Sequence, residues 1–92
     1  MKLFKVSQDE NPGYDTFDSF VVCTTDEERA RDIDPSTYWS DNLMFINWND
    51  PRLQHKYSNP WARHRHCVRV EYLGEARPEH PEEIIVASFN AG

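Results

Sequence analysis

His64-Arg65-His66-Cys67 gathers two imidazoles and a thiol in one short run, the side-chain types that bind Zn²⁺ most readily. Read as extended chain, His64 and His66 at i, i+2 share a face and could hold one ion together, whereas Cys67 points to the opposite face. Two further ligands are needed, and His55 and His80 stand at no recognisable metal-ligand spacing from the pair. The run is therefore read as solvated basic surface, with no metal and no cofactor assigned. Asp15 and Asp18 in "GYDTFDS" have the chemistry of an acid and base pair if a loop brings them together. No nucleophile, histidine or lysine lies beside them, so the simpler reading is structural: Asx-type bonds to loop amides, with Tyr14 and Phe17 pinning the loop to a core.

Charge is distributed unevenly. Residues 1–50 carry eleven acids and four bases, residues 71–92 five acids and one base, and residues 51–70 five bases and no acid, within a chain of net charge −6. In the basic segment, Arg52, His55, Lys56, Tyr57, Trp61, Arg63, His64, Arg65 and Arg69 interleave cations with flat rings. That combination holds single-stranded nucleic acid by phosphate contact and base stacking. Against it, the acids elsewhere would repel a polyanion, and the same cations can instead compensate acidic surfaces within the fold, with Tyr57 and Trp61 completing the core. No phosphate-binding glycine loop, dinucleotide fingerprint or Ser-His-Asp pattern is present, and catalysis is the least supported class.

The elements that must position these residues amount to one small domain, residues 1–92. "KLFKV" alternates Phe4 and Val6 against Leu3 and Lys5, which suits a first strand with one better-buried face. "SQDENPGYDT" reads as a turn-rich connection, Pro12-Gly13 fitting the centre of a type II turn, and "SFVVCT" as a second strand over about 19–24. Thr25 to Glu28 has capping-box spacing, predicting a helix capped by Thr25 and ended after about eight residues by Asp34-Pro35. Glu27 and Arg31 stand at i, i+4 on it. From about 36 to 66 the periodicity is lost, though all three Trp lie there, and "LMFINW" suits a short strand or a helical turn. "HCVRVEYLG" is an amphipathic strand with Val68, Val70 and Tyr72 on one face, and "IIVASF" is a fourth strand apolar enough to be central. The expected fold is α+β: a small antiparallel sheet of about four strands packed with one short helix, plus an aromatic-rich irregular insert.

Cys23 and Cys67 are read as small buried thiols in strands, and a bridge between them requires those strands to be neighbours. The N-terminus lacks the apolar stretch and cleavage site of a signal peptide, and no apolar run is long enough to span a bilayer. The expectation is a soluble, cytoplasmic protein with no membrane association. The C-terminal "SFNAG" reads either as a frayed end or, if the last strand pairs beside the first, as part of a polar patch with Ser7, Gln8, Tyr14, Asp15 and Asn90.

"SQDENPGYDTFDSFVV", "DEERARDIDPS", "VRVEYLGEA" and the terminal "ASFNAG" together resemble a group of small proteins encoded by bacteriophages and prophages. The likeness covers both ends, roughly half of the chain, and not the part from Tyr38 to Arg65, which is longer and more basic than the family middle. It implies a conserved fold around the termini, a phage setting inside a bacterial host, and no particular activity. Together with charge and aromatics it suggests a non-enzymatic binding protein that acts through contacts with a host protein, for example one of host defence or nucleic-acid handling. Asp26, Glu27, Glu28, Asp32 and Asp34 would supply an acidic face, and Trp39, Trp48 and Trp61 the anchors. The alternative is a small single-stranded nucleic-acid-binding module using Arg52, Lys56, Tyr57, Trp61, Arg63, Arg65 and Arg69.

Overall fold

The structure, a computed structural model, describes residues 1–40, 42–55 and 58–91. Lys56 and Tyr57 of the basic segment lie outside the described residues. Four strands, β1 (Lys2–Ser7), β2 (Thr16–Thr24), β3 (Arg69–Glu75) and β4 (Glu83–Asn90), form one antiparallel sheet in the order β3-β1-β2-β4. One helix, α1 (Glu27–Arg31), follows β2, and three 3-10 turns (Pro35–Trp39, Pro51–Gln54 and Arg65–Cys67) punctuate the stretch between α1 and β3. This is the small α+β fold that the sequence predicts. Among the described residues, no helix is long and apolar enough to cross a membrane.

The alternation read in β1 decides which face is covered. Phe4 and Val6 are buried and stand opposite Val22 and Phe20 of β2, while Leu3, Lys5 and Ser7 point to the other, more open face. On the covered face, Ala30 and Ile33 from the helical region, Trp61 and Ala62 from the insert and Val68 just before β3 close the core. Leu43, Ile46 and Trp48 pack against its margin. The "LMFINW" segment takes the strand-like option: Ile33 and Phe45 form an isolated bridge, with Asp34 N donating to Met44 O (2.9 Å) and Ile46 N to Asp32 O (2.7 Å).

Four local expectations are corrected. Asp26, not Thr25, caps α1: its carboxylate accepts from Arg29 N at 2.8 Å, a charge-assisted bond that outcompetes a hydroxyl, and Thr25 donates to Asp26 instead. The helix is also shorter than predicted, ending at Arg31 with Asp32 as its C-cap rather than at Asp34-Pro35. Cys67 lies in a 3-10 turn rather than a strand, and both cysteines are free. β4 is an edge strand, because the β1–β2 hairpin holds both central places; a register shift at Val21/Val22 leaves Ile85 outside the pairing. β2 begins at Thr16, so half of "GYDTFDS" is strand: Phe17 is fully buried, but Tyr14 is 78% exposed and pins nothing.

A buried polar seam ties the β1–β2 connection to the insert. Gln8 Nε2 donates to Phe17 O (2.9 Å) while its Oε1 accepts from Asn11 N (2.8 Å). Asn11 Nδ2 donates to Asn59 O (2.8 Å) and Trp61 O (3.0 Å), and Asn59 Nδ2 donates to Leu53 O (2.8 Å). Gln8 is thus consumed inside the fold and is no ligand-facing group. Asn90 is not frayed either: it closes β4 opposite Thr16, and its side chain donates to Gly13 O at 2.7 Å. The turn in this connection falls at Tyr14-Asp15, two residues past the expected Pro12-Gly13 centre, with Asp15 at φ +61° and Gly13 just before it at φ +119°.

Candidate functional site

The expected acidic and basic surfaces meet each other. Arg65, positioned by the Arg65–Cys67 turn under α1, donates from Nε to Asp32 (2.7 Å) and from Nη2 to Glu28 (2.6 Å). These hydrogen bonds raise the Arg65 pKa still further above its ordinary value. Arg31 bonds Glu27 (3.0 Å), as the i, i+4 spacing predicts, and also donates to Val68 O. Asp26 caps α1, and Asp34 accepts from the amide (3.0 Å) and hydroxyl (2.7 Å) of Ser36 at the start of the next turn. Arg52 pairs with Asp50 (2.7 Å) and Arg69 with Asp9 (3.1 Å), while Arg63 Nε sits 3.8 Å from Glu10. Every described arginine of the basic segment therefore faces a carboxylate of the same molecule.

The three tryptophans separate. Trp61 is 2% exposed, its ring 5.3 Å from that of Phe20, so it is core and can neither anchor a partner nor stack on a base. Trp48 is half-buried, its Nε1 donating to Asp32 at 2.9 Å. Trp39 alone stands out, 65% exposed. The Pro35–Trp39 turn, started by the Asp34 cap and Pro35, lifts Trp39 onto the end of β4. There its ring lies 5.3 Å from Phe17 and 5.2 Å from Phe89, with Tyr38 beside it at 6.3 Å. Phe17 is the buried floor, and Trp39, Tyr38 and Phe89 form a platform against solvent at the edge of the sheet. Tyr38 and Phe89 were not singled out by the sequence, because only the β2–β4 register brings residue 89 beside residue 17.

A second constellation lies at the other end of the insert. Glu10 Oε2 accepts from the backbone amides of Arg63 (2.9 Å) and His64 (3.2 Å), and Oε1 bonds His64 Nδ1. The Cys67 thiol completes the group, the ligating atoms of Glu10, His64 and Cys67 lying within 4.8 Å of one another. Burial pushes the Glu10 carboxyl up, but the hydrogen bonds from the His64 ring and the two amides outweigh it and hold the pKa below the ordinary value. Burial, with the neighbouring Glu10 charge, pushes the Cys67 thiol up. His66 stacks beside His64, ring centroids 5.3 Å apart, outside the cluster. The extended reading that put Cys67 opposite His64 fails for a geometric reason: in a 3-10 turn residues i and i+3 eclipse, so His64 and Cys67 come to one side. Comparison with known proteins finds no matching family model, no matching curated protein and no matching solved structure.

Proposed function

We propose that the protein is a binding protein rather than an enzyme, acting through protein contacts centred on the Trp39 platform. The observation that carries the reading is the placement of Trp39, Tyr38 and Phe89 in solvent over a buried Phe17, beside the open edge of β4. Large rigid rings of this kind give much contact area for little lost entropy and dominate interface energetics. The free edge of β4 adds backbone donors and acceptors that an extended partner segment can pair with. Pairing every described arginine of the basic segment with an internal carboxylate leaves that segment in a compensating role, and the excess of acids over bases, −6 in all, steers the molecule toward a basic partner. The resemblance to phage-encoded proteins supplies the setting: a host protein with a basic surface, such as one that handles nucleic acid or serves in defence.

The test is capture from a bacterial lysate with tagged protein, in nuclease-treated and untreated halves, alongside Trp39→Ala. The expected result is one host protein retained after nuclease and lost with Trp39→Ala, whose circular dichroism is unchanged. Partners that vanish with nuclease, or that Trp39→Ala retains in full, overturn the reading; recovery of nucleic acid alone moves the function to the Arg52–Arg69 surface.

A further inference from the structure

We propose that Glu10, His64 and Cys67 form a three-ligand site for Zn²⁺, with water in the fourth position. The donor set is the first argument. One carboxylate oxygen, one imidazole nitrogen and one thiol sulfur are each established zinc donors, and sulfur with nitrogen selects zinc over magnesium or calcium. Distance is the second. Ligand atoms bound at about 2.0–2.3 Å around a tetrahedral ion stand about 3.3–3.8 Å apart, and these three already lie within 4.8 Å of one another. Glu10 Oε1 and His64 Nδ1, now bonded directly to each other, move apart to admit the ion between them.

The third argument is how the ligands are held. The two amide bonds to Oε2 fix the Glu10 carboxylate and leave Oε1 turned toward His64, the outer-shell support that orients metal ligands. The Gln8–Asn11–Asn59 seam holds the connection that carries Glu10, and the bond from Cys67 N to His64 O (3.1 Å) holds the turn that carries the other two. Binding would replace the thiol proton by the ion: Cys67 S–H gives S–Zn and releases H⁺, His64 binds as the neutral ring, and Glu10 exchanges its bond to His64 for one to zinc. Affinity therefore rises with pH. The charges around the ion are Glu10 and Asp9, which favour it, and Arg63, which opposes it, while His66 stands alongside. An ion here would clip the β1–β2 connection to the chain entering β3, a staple of the kind small domains use. The site is independent of the Trp39 platform.

The test is titration of the purified full chain with Co²⁺, which reports tetrahedral geometry by its visible bands and a thiolate ligand by its charge-transfer band, followed by displacement with Zn²⁺. One equivalent is expected to give both, and Zn²⁺ to raise the melting temperature reversibly with chelator. Cys67→Ser is expected to abolish the charge-transfer band, Glu10→Gln and His64→Gln to weaken binding more than tenfold, and His66→Gln to leave it intact. Absence of the charge-transfer band, or its persistence in Cys67→Ser with only Cys23 left, overturns the proposal. Cys67→Ser leaves every ion pair described here in place, so it separates lost ligation from lost folding.

Discussion

Trp39 and Trp61 bracket the insert and are used in opposite ways. Each rests on a phenylalanine of β2, Phe17 under Trp39 and Phe20 under Trp61, at the same ring separation of 5.3 Å. What differs is the chain around them. Trp61 is bracketed by Asn59, whose side-chain oxygen accepts from Trp61 N (3.0 Å), and by Asn11, which donates to Trp61 O (3.0 Å). Those bonds draw the backbone itself under cover. Trp39 ends a turn, Ser40 N bonding back to Thr37 O, and no layer of chain closes over it. Of the two rings, the buried one is the one whose neighbouring backbone is bonded inside the fold, even though its own Nε1 is left without a partner.

The largest expected effect comes from exchanging the roles of the two rings by deletion. Trp61→Ala removes a filled part of the core and is expected to cost about 3–5 kcal/mol, read from the shift in urea midpoint. Trp39→Ala removes a ring already mostly in water and is expected to cost about 1 kcal/mol or less, yet to abolish partner retention. Equal losses of stability in the two variants would break the comparison. The next effect sharpens its cause. Asn59→Ala leaves Leu53 O and Trp61 N without their partners in a buried place, which is expected to cost about 1–3 kcal/mol. Trp61 should then become accessible to a fluorescence quencher while Trp39, accessible from the start, does not change.

Much of the frame was legible in local pattern. The β1 alternation, the Glu27–Arg31 pair and the count of strands all follow from spacing, because each rests on contacts within a few residues or on the pleat of a strand. The site was less legible. "STYWS" and "NPWAR" offer no difference in period or composition that says which tryptophan is buried; the bonds from Asn11, far away in sequence, decide it. The place of β4 at an edge is likewise a matter of long-range order, since "IIVASF" has the composition of a central strand. Cys67 was misplaced by one assumption, a period of two where the chain adopts a period of three. The compensating role of the basic segment was legible as a possibility in the charge counts, and Arg65 reaching Glu28 and Asp32 gives it a geometry.

The smallest effect concerns the carboxylate that serves the Trp61 side of this comparison. Glu10 has its pKa held below the ordinary 4.5, so the folded chain binds that proton less tightly than the unfolded chain does. Its contribution to stability is complete above 4.5 and is lost as the pH falls below that value through the folded-state pKa. Protonation there weakens the hold on the Arg63 and His64 amides, next in sequence to the core pair Trp61 and Ala62. Glu10→Gln is therefore expected to lower stability modestly at neutral pH and to flatten the acid limb of the stability curve, measured as urea midpoints at about pH 7 and about pH 3. Quenching of Trp61 should rise on the same limb in the parent protein and be independent of pH in Glu10→Gln, while Trp39, already in solvent, should not change between the two proteins. A parallel acid limb in the two proteins would detach Glu10 from the core at Trp61 and leave Asn11 and Asn59 as the bonds that keep that ring covered.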